Sequence, residues 1–527
     1  MTGRNPQPTM TRDLERKGTI MTVHFTRRAT TALAFIFMAQ TASADLMAQD
    51  VWADWKSYLS GMGYDITAKE NMSGDTLTLS DIEVKLAMPQ ETGTGSGVIE
   101  SISLRENSDG TVNIVFPNPH RISFSFSDPE AGSGEGVLEV THDGLIATVS
   151  GDPMNLHYEY SFDMVNLALA NLVIDGEAPK GDFVFEVIGR DGKGISDMKV
   201  GSMRDVEQDY SMQSLDVNFS FIEPESGNNG NLRANIAGLA GTGSSTLPKQ
   251  MDPTDLTGML ASGMKGSGTF SYDKATASLG GKADGSGFAS ELTSDGGELT
   301  AMMDGEHLSY VASGKASTLH TTTDQLPFPV DVSFGYTGFK LDVPFAQSEE
   351  PQDFAFGLTL GELAVSEMVW GLFDPTGTLP HDPATLELDV DGKAKVDVNI
   401  FDPEQAEAMA MSDTPPGELH ALNINKLLLS MVGARLSGDG AFTFDNSDLE
   451  SFGGVPRPEG KLNLQLAGAN TLIDKLIQMG FVSDQDAMGA RMMMGMFGVP
   501  GSEPDTINST IEINAEGHVT ANGQRIK

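Results

Sequence analysis

The chain has no cysteine in 527 residues. That removes disulfides, thiolate metal sites and cysteine nucleophiles together, so any fold it adopts must rest on packing. Tryptophan is scarce at three residues, and basic residues are outnumbered, with 33 Lys and Arg against 74 Asp and Glu. A surface this acidic repels nucleic acid, whose binding needs phosphates neutralised by Lys and Arg. It also disfavours docking on anionic lipid headgroups. Long apolar runs are missing as well. The most apolar stretch, Ala32 to Ala39, is far shorter than the ~20 residues that span a bilayer.

That stretch has another reading. Arg27 and Arg28 precede it, and Ala42-Ser43-Ala44 follows with small residues at the −3 and −1 positions of a secretory cleavage site. Residues 1–44 are therefore expected to be a signal peptide cut between Ala44 and Asp45, with residues 1–20 lying upstream of the true start at Met21. The expected location is the periplasm. Setting aside the 6 basic and 2 acidic residues before Asp45 leaves 27 against 72. The absence of a later cysteine excludes a lipid-anchored N-terminus, and no second apolar run predicts a membrane span.

What is present is alternation. Val112-Ile114-Phe116, Ile122-Phe124-Phe126, Val165-Leu167-Leu169, Leu215-Val217-Phe219-Phe221, Val330-Val332-Phe334, Leu386-Leu388-Val390 and Leu462-Leu464-Leu466 place an apolar residue at every second position. Period two repeated so often predicts antiparallel strands with one apolar and one wet face. Near Ser80-Asp81 the parity reverses, which marks a bulge or tight turn. Asn107-Ser108-Asp109-Gly110, Asp191-Gly192, Asp391-Gly392 and Gly438-Asp439-Gly440 carry residues tolerant of positive φ and read as turns between strands. Pro224 to Gly243 reads as a linker. Residues 261–317, diluted in Gly, Ser, Thr and Ala, read as weak strands suited to an edge or a thin part of the sheet.

Helices are expected at the two ends. Met47, Val51, Trp52, Trp55, Tyr58 and Leu59 recur at three- and four-residue steps, predicting an amphipathic helix over Leu46–Leu59 that ends at Gly61. It would dock on the sheet, or offer Trp52 and Trp55 to a partner. Leu472 to Met479 and Ala487 to Met496 predict a helical pair, the second capped by Ser483 with Asp486, and its methionines read as core-facing. A final hairpin closes the chain.

The fold class expected is thus mainly β: one or more extended antiparallel sheets, curved into a groove or packed as a sandwich. An N-terminal amphipathic helix precedes them, and two short helices precede a C-terminal hairpin. The expected divisions are 45–225, a helix and an antiparallel half; 226–325, a linker with weak strands; and 326–527, a second half holding helices 471–498 and the hairpin 505–527.

No catalytic or metal motif emerges. There is no Gly-x-Ser-x-Gly, no His-Glu-x-x-His and no Gly-Lys-Ser/Thr phosphate loop. The histidines at 120, 142, 157, 307, 320, 381, 420 and 518 are scattered and read as surface or loop residues. Gly280–Gly285 and Asp389-x-Asp391-Gly392 only superficially resemble calcium loops. No cofactor is expected.

The segment Asp50-Val51-Trp52-Ala53-Asp54-Trp55, followed by Gly63-Tyr64, resembles an uncharacterised alphaproteobacterial family, domain of unknown function 2125. So do Met488-Gly489-Ala490-Arg491-Met492-Met493, Asp505-Thr506 and Asn522-Gly523-Gln524-Arg525. That resemblance spans nearly all of the chain after Ala44 and implies no known activity. The closing hairpin is also similar to the end of AsmA-like envelope proteins. This second likeness implies a long curved sheet with an apolar groove for lipid, although that group usually keeps a membrane anchor. The expectation for function is a non-enzymatic periplasmic protein that binds or shields an apolar ligand or supports envelope assembly. The alternatives are a partner-binding β protein and a carboxylate-dependent hydrolase.

Overall fold

A computed structural model describes residues 45–86, 93–128, 132–252, 255–399, 401–411 and 416–527. Ala44, and with it the expected cleavage bond, lies outside them; Asp45 is the first described residue and is exposed.

The chain opens with α1 (Ala48–Gly61), whose Val51 and Trp52 are buried against the sheet. The residue that leaves the helix with positive φ is Gly63, at 85°, not Gly61. Gly61 is instead buried at a close approach, where an added Cβ would stand 2.1 Å from the Lys249 carbonyl oxygen.

Every described strand then joins one antiparallel sheet, as the alternation predicts. Its first members are β1 (Tyr64–Ser73), β2 (Thr76–Leu86) and β3 (Thr94–Glu106). The chain continues through β4 (Val112–Val115), β5 (His120–Asp128), β6 (Gly132–Asp143), β7 (Ile146–Asp152) and β8 (Asn155–Ile174). β4 and β5 act as two collinear halves of one strand, both pairing with β3, and β6 and β7 likewise both pair with β8. Long strands follow: β9 (Asp182–Val200), β10 (Met203–Ile222) and β11 (Asn229–Pro248).

After the short helix α2 (Leu256–Ala261) the halved pattern returns, in β12 (Lys265–Tyr272) with β13 (Lys274–Ala283) and β14 (Ser286–Ser294) with β15 (Gly297–Met303). It continues in β16 (His307–Gly314) with β17 (Ser317–Thr323), and β18 (Val330–Phe334) with β19 (Tyr336–Pro344). Both halves of the last pair rejoin on β20 (Gln352–Val365). Then come α3 (Glu367–Trp370), β21 (Ala384–Val396), α4 (Pro403–Ala410), β22 (Gly417–Met431), β23 (Ala434–Asp445) and β24 (Arg457–Ala467). The helices α5 (Ala469–Gln478) and α6 (Asp484–Phe497) precede the short β25 (Val499–Pro500). The chain closes with β26 (Thr506–Ile513), β27 (Val519–Ala521) and β28 (Gln524–Arg525). The topology is an up-and-down meander: each strand, or pair of half-strands, lies beside the next.

A crease crosses this sheet. Asp81 in β2, Asp191 in β9, Gly238 in β11 and Glu362 in β20 all have positive φ within or beside paired runs, and between these strands the chain breaks into half-strands. At the crease the side-chain parity flips, so Tyr210 and Met212 below it share a face with Leu215 and Val217 above it. Asp191-Gly192, Asp391-Gly392 and Gly438-Asp439-Gly440 are therefore not hairpin turns but lie inside β9, β21 and β23. Only the 107–110 tetrapeptide of those four is a true turn, where Gly110 N–H donates to the Asn107 carbonyl. Locally, Asp-Gly serves a bulge or a close approach as well as a turn. Which of these it serves is decided by what lies across the sheet.

The expected linker is also overturned. Residues 229–248 form a single twenty-residue strand paired with β10 from end to end, and the turn before it is short. The sheet runs unbroken through the small-residue region 261–317, which sits in the middle of the strand order rather than at an edge. Hydroxyl pairs across strands replace bulk there: Thr269–Thr300 at 3.1 Å and Thr293–Thr318 at 2.7 Å.

Candidate functional site

The registers define two unlike faces. One row of directly paired residues runs His120–Val140–Leu167–Val187–Val217–Ala234–Ala277–Leu292–Leu319–Val332–Val365. Below the crease a second row runs Tyr160–Gly194–Tyr210–Gly241–Phe270–Leu299–Ala312–Phe339–Leu358–Leu388–Leu427. One residue along, the opposite face reads Asp216–Asn235–Thr276–Thr293–Thr318–Ser333. There Asn235 Nδ2 donates to Asp216 at 2.7 Å. One face is thus apolar from β5 to β22, and its reverse is polar.

The apolar face is covered only in places. At the N-terminal end α1 lies on it, and Leu46, Val51, Trp52, Leu77, Leu79, Leu104, Val112, Val149 and Leu156 form a cluster with almost no exposure. Trp52 Nε1 donates to Glu70 at 2.6 Å and Trp55 Nε1 to the Tyr158 hydroxyl at 3.2 Å. Burial pushes the Tyr158 phenol up to about 12. Arg204, buried beside α1, pairs with Asp54 at 2.5 Å and lies over the Tyr58 ring. The two tryptophans weighed as a partner-docking pair thus spend their indoles on the protein's own core.

Further along the face that cover is missing. Leu279, Phe288, Leu292, Leu299, Leu319 and Phe339 are between 38% and 47% exposed. Contiguous exposed apolar area of this kind is uncommon on a monomer. Its floor is also low. Cross-strand rings lie over glycines, with Tyr210 over Gly241 and Tyr160 over Gly194, where a Cβ would stand 2.3 and 2.5 Å from ring carbons. Two cavities of about 510 Å³ open on this face. Phe270, Leu299, Phe339 and Leu358 line one, and Ile99, Phe116, His120, Ile122 and His142 line the other.

Neither calcium-like stretch makes an ion loop. Gly280–Gly285 runs from β13 into the turn before β14, and Asp389–Gly392 lies in extended β21. Among the described residues no three His, Asp or Glu side chains gather at metal-binding distance. The α6 methionines are the plainest departure from expectation. Met488, Met492, Met493 and Met496 are between 55% and 71% exposed, and the buried contact of the helix is Ala487. His120, expected at the surface, is 5% exposed. The signal was in the alternation, since it holds the same parity as Ile122, Phe124 and Phe126.

The fold and its faces define a class: a meandering single-sheet β protein with one open apolar side. Within it, residues 268–526 match the model of DUF2125, an uncharacterised protein family conserved in bacteria. The Met488–Met493 and Asn522–Arg525 motifs lie inside that match, and the α1 motif lies outside it. No curated protein and no solved structure shows a significant match. No described helix is long and apolar enough to cross a membrane.

Proposed function

We propose that this protein, exported to the periplasm with residues 1–44 removed, holds hydrocarbon chains of envelope lipids on its open apolar face without catalysing a reaction. The observation that carries the reading is the pair of apolar rows, register-matched across more than ten strands, with large apolar side chains left exposed from β13 to β19. Each such side chain would be more stable out of water by about 25 cal/mol per Å² of apolar surface buried. Acyl chains suit that surface because it is continuous and poor in hydrogen-bonding groups. The acidic polar face keeps the carrier soluble.

Native mass spectrometry of protein purified from the periplasmic fraction tests this. The expected result is a chain beginning at Asp45, with lipid that solvent extraction removes. A lipid-free chain that takes up no lipid from vesicles would sink the proposal.

A further inference from the structure

Two histidines on the apolar face have ring nitrogens that nothing satisfies. His120 opens β5 opposite Val140, and His142, two residues beyond Val140 on β6, stands opposite Val165. The register sets them one diagonal step apart on the same face. Both line the cavity of about 510 Å³ at the edge of the α1-covered core. Nδ1 of His120 and Nε2 of His142 are shut off from solvent and have no hydrogen-bond partner. Three other histidines in the sheet are matched to carboxylates across strands: His157 with Asp197 at 2.7 Å, His307 with Asp342 at 3.1 Å, and His320 with Asp331 at 2.5 Å; His420 of β22 has only Glu418 of its own strand nearby. An unpaired buried polar atom is costly, and a leucine at either position would avoid the cost.

We infer that this cavity recognises the end of a hydrocarbon chain bearing one group that both donates and accepts a hydrogen bond, a hydroxyl or an un-ionised carboxyl, bridging His120 and His142. The inference rests on the reading of the open face as a holder of hydrocarbon. It adds a polar stop at the end of the upper apolar row, which His120 terminates.

The chemistry follows from the ring states. Burial holds His120 below the ordinary imidazole range, and nearby His142 acts in the same direction, while Glu100 opposes both. A neutral ring presents one N–H and one lone pair. A hydroxyl can satisfy a donor on one ring and an acceptor on the other. A phosphate offers acceptors alone, and would have to leave water beside Glu100 in a strongly acidic chain. The cavity volume falls within the roughly 300–1,000 Å³ of small-molecule sites.

The test is calorimetric binding of 1-dodecanol, dodecanoic acid and dodecane to the full chain, and to His142→Leu and His120→Phe variants. In the unsubstituted protein dodecanol should bind at least about tenfold more tightly than dodecane, the worth of roughly one good hydrogen bond. In the variants that preference should fall below about threefold. Retained dodecane binding there shows that the fold has survived. Tighter dodecanoic acid binding at pH 5 than at pH 8, also lost in the variants, would assign the site to acids; a preference confined to dodecanol would assign it to alcohols. Equal binding of dodecanol, dodecanoic acid and dodecane, or a preference that survives both substitutions, overturns the inference while leaving the open-face reading intact. Failure of dodecane itself to bind would count against both.

Discussion

The first three strands and the strands from β13 to β19 both place apolar residues on one face, yet they end in different states. Over β1 to β3 a single amphipathic helix lies on the apolar face, and Leu77, Leu79 and Leu104 are at most 2% exposed. Over β13, β14 and β17 no helix packs closely, and Leu279, Leu292 and Leu319 remain about as exposed as many surface residues. Burial here is set by whether a second layer exists, not by the strand sequence. The covered end contributes stability, and the open stretch contributes surface.

Substitutions should separate the two regions. Trp52→Ala, which empties the middle of the covered cluster and leaves Glu70 without its indole donor, should cost about 3–5 kcal/mol in urea unfolding. A loss below ~1 kcal/mol would mean that α1 is not a structural lid. A smaller effect should come from pH. His120 is held below its ordinary value of 6.5, so the unfolded chain takes up this proton more readily than the folded one. Stability from this group is complete above pH 6.5 and falls as the solution is acidified through the folded pKa. The carboxylates held low, such as Glu70, lose their contribution only below their ordinary range near 4.5. Unfolding free energy measured from pH 7.5 to 5 should therefore decline, and His120→Leu should flatten that decline. An unchanged slope in the variant would exclude His120 as the source.

At the far end, Ser483 Oγ accepts from the Asp486 N–H at 3.1 Å and donates to its carboxylate at 2.7 Å. Ser483→Ala should cost about 1 kcal/mol, read as faster amide exchange in the first turn of α6. The smallest stability effect is the most diagnostic one. Leu292→Ser, at a site 42% exposed, should leave unfolding within about 0.5 kcal/mol of the parent and yet reduce lipid recovered by extraction. If instead it destabilises like Trp52→Ala, the open stretch is a core and the comparison collapses.

Much of this was legible in the residues. Period two gave the strands and their two-faced character, and the three- and four-residue steps gave α1, α5 and α6. The parity reversal at Asp81 located the crease at its first crossing. What misled was local chemistry with several uses. Asp391-Gly392 has the composition of a hairpin turn, but Gly392 lies under the Phe354 ring and against the Ala421 carbonyl in mid-strand. The small residues of 261–317 pointed to an edge, whereas hydroxyl pairs and close strand contact make them the centre. The α6 methionines fit a core stripe by spacing alone, but the helix turns them to solvent. His120 and His142 sit twenty-two positions apart, and no motif joins them; only the β5–β6 register brings their side chains to neighbouring places.

The sequence by itself determined that this chain forms antiparallel strands with one apolar and one wet side, because side-chain direction alternates with the backbone pleat. It also determined that nothing in the described chain spans a membrane as a helix, since no long apolar run follows Ala39. Tertiary structure alone decided how much of the greasy side is hidden. Strand periodicity records which residues share a face, but the helix that covers a face and the strands that bring two histidines into one cavity come from distant parts of the chain. Those pairings are set by the lowest free energy of the whole sheet, which no local window contains.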